Sequence, residues 1–290
     1  MKSVCFSNIC IWFFAIIFFP AFLSCSTSPK DTGDVYILRP QAEEGLESAN
    51  KEAAKGNFEI ALSLLTGYKR NAIITDDISL IVRVCLSRGN VLFSLGRIDE
   101  AFQEWDYALG EALLTGDQEL LSVSRIFYAR GNLLSGKAPV QSVLDEVNRE
   151  SVNVKKNRLY IAFSWQVKGL ALSELERWNE AETAMKQSLA IHDKDKRLEN
   201  AAYDWYIIAS IRSLAGNTAG ALQALDMSIA IDRRIENSWG LASSWRAKGD
   251  VFRKIGREQD ALNAYLRSRE IYSAIGNIAE AAEVDRRINK

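Results

Sequence analysis

Residues 162–175 read A-F-S-W-Q-V-K-G-L-A-L-S-E-L, and their tryptophan, Trp165, returns as Trp205 and Trp245 at intervals of forty residues. Within the stretch Trp165, Gly169 and Leu172 fall at helical spacing, so a bulky, a small and an aliphatic residue share one face. Glu176 to Asn179 carry a turn, and residues 180–191, E-A-E-T-A-M-K-Q-S-L-A-I, place Ala181, Ala184, Met185, Ser188 and Leu189 on one side of a second helix. Small residues let the two backbones approach, while large ones fill the space between neighbouring hairpins. The same period runs through Ala181, Ala221 and Ala261 and through Ile191, Ile231 and Ile271. A fixed period of this size predicts stacked supersecondary units rather than one closed core, and such solenoids present a long concave surface to a partner.

The order large, small, aliphatic, turn glycine, Ala, large, small runs Cys85, Gly89, Leu92, Gly96, Ala101, Trp105, Ala108 in one copy. It recurs as Trp205, Ala209, Arg212, Gly216, Ala221, Leu225, Ser228 and as Trp245, Gly249, Phe252, Gly256, Ala261, Tyr265, Ser268. This order resembles the tetratricopeptide repeat (TPR) family. Aligning the small residue of each first helix gives Ala49, Gly89, Gly131, Gly169, Ala209 and Gly249, at intervals of 40, 42, 38, 40 and 40. The resemblance implies an all-α, right-handed α-solenoid of about six hairpins, at about residues 42–81, 82–123, 124–161, 162–201, 202–241 and 242–277, with a capping helix over 278–290. The family's commonest period is about 34 residues. The extra residues are expected to lengthen the second helix, a form that looks like the subclass used for extended peptide ligands in scaffolding and cargo-adaptor proteins. The third copy departs from the pattern. Val143 stands where other second helices carry Ala, Pro139 falls just inside the helix start, where proline is tolerated, and the polar run 148–158 predicts a kink or a longer loop.

The first 24 residues begin with one Lys, continue through the apolar run Ile9 to Phe19 and stop at Phe22, Leu23, Ser24 and Cys25, the layout of a secretory signal. Ser24 followed by Cys25 resembles the lipobox of bacterial lipoproteins, which implies lipidation of Cys25 and removal of residues 1–24, although Phe22 and Leu23 depart from the family's usual residues there. The competing reading is an uncleaved anchor from Val4 to Leu23, about 20 residues and just long enough to span a membrane. Either way the repeats face away from the cytoplasm. By the same resemblance Ser26 after the cysteine favours the outer membrane, facing the periplasm, with inner-membrane anchoring as the alternative. Residues 25–41 read as the lipidated cysteine and a flexible tether, with a maximum reach of about 50 Å.

Composition narrows the function. Removing residues 1–24 takes one lysine and no acid, leaving 35 basic and 37 acidic residues, so no nucleic-acid footprint is expected. Cys5 and Cys10 leave with the signal and Cys25 is expected to be acylated, so Cys85 remains as the only thiol; in the slot of Trp165 it reads as a small buried hydrophobe. The single histidine, His192, cannot build a zinc site and reads as a surface helix residue. No H-E-x-x-H or G-x-S-x-G pattern occurs, and neither a catalytic residue, a metal nor a cofactor is expected. The one spot to watch for glycan cleavage is Glu150 beside Ser151, against a reading as a solvated loop.

The TPR resemblance implies that first helices line the concave surface. In that register Asn50, Asn90 and Asn132 follow the small residue of the first three copies, and a ladder of amides there resembles family members that hold a peptide backbone, since Asn both donates and accepts. Locally bonded helix asparagines are the other reading. Tyr128 and Leu46 stand where the family's carboxylate clamp has Lys, so a clamp of that kind is not expected. Further groove candidates are Arg83, Phe93, Arg125, Phe163, Gln166, Tyr203, Tyr206, Arg246, Asp250 and Arg253, with Phe163, Tyr203 and Tyr206 the preferred anchors. Trp165, Trp205 and Trp245 are assigned to the core. The expectation is a membrane-anchored extracytoplasmic scaffold that binds an envelope protein or peptide. The alternative is a homo-oligomeric accessory component of solute uptake or secretion.

Overall fold

The computed structural model describes residues 38–289; the expected signal over 1–24, Cys25 and the expected tether up to residue 37 lie outside the described residues. Within them the chain is all α-helix: α1 (Leu38–Ala54), α2 (Phe58–Ile74), α3 (Ile78–Ser94), α4 (Ile98–Thr115), α5 (Gln118–Ser135), α6 (Val140–Ser151), α7 (Arg158–Glu174), α8 (Trp178–Lys194), α9 (Leu198–Leu214), α10 (Thr218–Arg234), α11 (Ser238–Lys254), α12 (Glu258–Ala274) and α13 (Ile278–Ile288). Odd-numbered helices start forty residues apart throughout, so six antiparallel hairpins and one further helix repeat with a fixed rhythm. Two boundaries differ from the sequence reading. Helix α1 begins at Leu38, inside the expected tether, and the extra length is shared, since both helices of a standard hairpin have 17 residues.

The rhythm is set at the turns. A residue in the left-handed region closes nearly every helix, at Gly56, Gly96, Gly136, Gly216 and Gly256 within hairpins and at Gly116 and Gly276 between them. The following amide then reaches back five residues, as in Asn57 to the Glu52 carbonyl (3.0 Å) and Arg97 to Leu92 (2.9 Å), which satisfies carbonyls the helix end would orphan. Asp76, Glu176, Lys196 and Glu236 adopt the same conformation with side chains, at φ of 51° to 59°.

The third hairpin keeps the forty-residue register in its first helix and slips only in its second. Helix α5 starts in register, but its turn holds Lys137, Ala138 and Pro139 where others hold a single residue. Proline fixes its own φ and pushes Ala138 away from the helical region, so α6 starts two residues late, at Val140, with Pro139 as its cap rather than its first residue. A six-residue loop, 152–157, then restores the register, in line with the expected longer loop. Its three successive amides, of Lys155, Lys156 and Asn157, donate to one oxygen of Glu119 at 2.9, 2.7 and 3.0 Å.

Small and large residues are matched across each hairpin. A Cβ on Gly89 would lie 2.2 Å from the Trp105 indole, one on Gly169 2.7 Å from the Met185 sulfur, and one on Gly249 2.5 Å from the Tyr265 ring. Where the facing residue is the smaller Leu65 or Leu225, the same register holds Ala49 or Ala209. Trp105 also presses on Gly131 of the next hairpin, which explains that glycine without making it the signature residue of its own copy. The in-register residue is Ala129, buried. Trp165, Trp205 and Trp245 are half-buried, a correction to their assignment as core: their outer edges stay wet while Trp165 and Trp205 pack against it. Cys85 is fully buried, and burial pushes its thiol up to about 12.

Along the stack α1 approaches α3, α3 approaches α5, α5 approaches α7 and α9 approaches α11, whereas the second helices stand further apart. First helices therefore line the concave side. The coil returns on itself: Trp239, at the start of α11, seats over the α1–α2 turn. A Cβ on Gly56 would fall 2.6 Å from its indole, and its ring meets Phe58 edge-on at 5.3 Å and Tyr272 at 5.4 Å. Among the described residues no helix is long and apolar enough to cross a membrane.

Candidate functional site

Concave positions recur in each first helix, and their chemistry changes along the coil. At the leading end Arg83 donates to Glu43 of α1 at 3.1 Å. Asn50 is exposed, and the half-buried Asn90 accepts from Arg130 at 3.4 Å. Because α5 starts in register, Arg130 stands forty residues after Asn90, so Asn132 does not extend the amide ladder. The same shift moves Arg125 and Tyr128 off the concave side. Arg125 donates to Glu150 of its own hairpin at 3.1 Å, and Tyr128 meets Phe102 of α4 edge-on at 5.1 Å. Phe93, also in register, stacks near Trp105 at 5.9 Å.

In the middle two expected groove residues are occupied by the protein itself. Phe163 stacks on Phe127 at 4.1 Å, joining α5 to α7. Gln166 is buried, not groove-facing, and donates to Asp204 at 2.7 Å. Asp204 also binds Ser188 Oγ (2.9 Å) and His192 Nδ1 (2.7 Å), so His192, 1% exposed, is a buried member of a polar network and not a surface residue. Ser188 and His192 both converge on Asp204 oxygen Oδ2, and the serine touches the same Nδ1 that the aspartate holds. A base would need its other nitrogen on the serine, so this is a structural knot at the α8–α9 joint. Glu150 is likewise buried, on the last turn of α6 rather than in a solvated loop, with Ser122 at 2.7 Å and Arg125 as partners.

The tyrosines remain. Tyr203 is 39% exposed on α9, and Tyr206, one turn on, is half-buried, its hydroxyl raised above the ordinary range by burial against the opposing pull of Arg246. Tyr160, absent from the sequence candidates, has its hydroxyl pushed up to about 12 by burial, with Arg83 opposing and Glu119 adding to the shift. At the far end the charged candidates are consumed by α13. Arg246 pairs with Glu280 and lies 5.8 Å over the Tyr272 ring. Asp250 accepts from Tyr265 (2.7 Å) and Arg287 (2.6 Å), and Arg253 donates to the Arg287 carbonyl (2.6 Å). The thirteenth helix thus occupies the place a seventh hairpin would take. Among the described residues no cluster of metal-ligating side chains is present.

No protein-family description matches the chain, and no curated protein matches it in sequence. Solved structures share its architecture. It is similar to the Rap protein solved in complex with Competence and Sporulation Factor, at a TM-score of 0.59 and 14% identity over 86% of this chain and 73% of that one. Bacillus thuringiensis PlcR, solved with the peptide PapR7 and DNA, gives a TM-score of 0.59 and 13% identity over 70% of this chain and 73% of PlcR. The TPR-like repeats of a putative kinesin light chain from Podosopora anserina give 0.51 and 17%, over 67% of this chain and 96% of theirs. At these identities the likeness establishes the fold, an all-α solenoid of TPR-like hairpins.

Proposed function

We propose that the chain is a non-catalytic scaffold, lipid-anchored through Cys25 to the outer membrane and facing the periplasm, whose concave surface takes an extended peptide segment of an envelope protein. The observation that carries the binding half is the Tyr203–Tyr206 face of α9: it is aromatic and partly open, while the charged positions beyond it are already paired. Aromatic side chains bring large contact area at little conformational cost, which suits them to anchor a peptide. Two proteins of the same fold were solved with partners, Rap with Competence and Sporulation Factor and PlcR with the peptide PapR7 and DNA, and the PapR7 complex supports a peptide as the ligand class. The anchoring half rests on the signal-like residues 1–24 and on Ser24–Cys25.

The test is an in-cell crosslinking pull-down with the intact chain and with Tyr203→Ala/Tyr206→Ala. A defined envelope protein recovered by the first and lost from the second is the expected result. Equal recovery moves the interface off the concave face. Cys25→Ala is expected to shift the protein from the membrane to the soluble fraction, and unchanged partitioning would remove the lipid anchor.

A further inference from the structure

Four large apolar side chains stand in solvent at one edge of the coil. Ile73 and Ile74, ending α2, are 49% and 58% exposed, and Leu113 and Leu114, at the same register of α4, are 58% and 73% exposed. Forty-residue steps from these positions reach Asp193–Lys194, Arg233–Arg234 and Ser273–Ala274 in the later hairpins. At this register the residues are polar or small there, so the large apolar pairs are confined to the first two units, while Val152, Ile275 and Ile278 stand exposed singly along the same edge. Scattered surface hydrophobes need no explanation, but register-matched pairs at one end of a repeat protein do.

Topology says what lies beside them. In an antiparallel hairpin the end of the second helix shares an edge with the start of the first, so the pairs sit on the edge where the chain enters the solenoid at Leu38, itself 37% exposed. The corresponding edge of the sixth hairpin is taken up, because Trp239 rests there against the α1–α2 turn. That contact leaves the entering edge of the first two hairpins as the free end of the coil. Twelve residues, 26–37, separate Cys25 from Leu38, a reach of at most about 40 Å.

We infer that this edge faces lipid: Ile73, Ile74, Leu113 and Leu114 enter the membrane interface and fix the coil upright on the surface to which Cys25 tethers it. The inference rests on the anchored reading above. Apolar side chains at a headgroup boundary bind in proportion to the area they bury, and a short tether holds them at that boundary. Asp76 and Asp117 flank the pairs in solvent, which makes zwitterionic headgroups better neighbours than anionic ones. With the edge seated, the concave surface opens parallel to the membrane, towards other envelope components.

The experiment uses the mature lipidated protein in vesicles of phosphatidylcholine and phosphatidylethanolamine, in a Cys85→Ala background that leaves the introduced thiol as the only one to label. An environment-sensitive fluorophore is placed at Leu114→Cys or, separately, at the register-matched Arg234→Cys, with nitroxide-bearing lipid as quencher. Quenching at position 114 at least about twofold stronger than at 234, with blue-shifted emission, is expected. Equal, solvent-like emission at both positions in protein that floats with the vesicles overturns the lipid-facing edge and leaves the anchor standing. Blue-shifted emission at 114 without lipid quenching overturns it too, in favour of a protein cover. Protein that does not float at all overturns the anchored reading, and this inference with it.

Discussion

The rings of Phe58 and Trp239 meet edge-on, with centroids 5.3 Å apart and planes at 80°, although 181 positions of chain separate them. The contact joins the first hairpin to the sixth, so about five hairpins complete one turn of the coil. Gly56, at φ 83°, leaves the notch the indole fills.

Trp239→Ala removes that indole and its contacts with Phe58 and Tyr272. The loss is expected to cost about 2 kcal/mol and to let the coil extend. Urea unfolding measures the first, and small-angle scattering the second as a larger radius of gyration. An unchanged radius would mean that neighbouring hairpins alone set the curvature.

Glu176 holds φ 59° at a turn where five of the six hairpins use glycine. A side chain costs about 1 kcal/mol in that region, partly offset by the entropy glycine loses on folding. Glu176→Gly is therefore expected to raise stability by about 0.5 kcal/mol, read in thermal or urea unfolding, whereas Gly56→Ala lowers it through both the backbone and Trp239.

Gly249→Ala forces a methyl to within 2.5 Å of the Tyr265 ring, whose hydroxyl is fixed 2.7 Å from Asp250. With the ring unable to retreat, the substitution is expected to cost about 1–3 kcal/mol. The double variant Gly249→Ala/Tyr265→Leu reproduces the Ala209–Leu225 pairing and is expected to recover most of it. A double variant no more stable than the single one would refute the size-matching rule.

Asp232 is buried, and desolvation raises its carboxyl from 3.8 to about 6 despite bonds from Asn237 (2.8 Å) and Ser228. Between those values the unfolded chain has released the proton and the folded chain keeps it, so stability falls as pH rises from about 4 to about 6 and stays low above. The upper bound on this loss is about 3 kcal/mol. Asp232→Asn keeps an acceptor for Asn237, and should be more stable than the parent at pH 7 and flatter across that window. Urea midpoints at both ends of the window check this; a parent stability independent of pH there would contradict it.

The period was legible because Trp165, Trp205 and Trp245 report local helix packing, which repeats wherever the local sequence does. The slip in the third hairpin was misplaced because Gly131 imitates a signature glycine while serving Trp105 of the previous unit. Its true source, Pro139, lies in a turn that the alignment of helices skipped. Gln166 and His192 looked like surface residues because their common partner, Asp204, belongs to the next hairpin, and no rule of spacing within one helix reveals it. Trp239 has no local signal for its role, since the notch that receives it is formed by residues 56–58.

A stack of hairpins that touch only their neighbours frays from its ends, since each terminal unit has one partner where an interior unit has two. Seating Trp239 on the α1–α2 turn gives the first hairpin a second partner. Unravelling at the carboxyl end then withdraws support from the amino end, so the two extremities melt as one cooperative event instead of two independent ones.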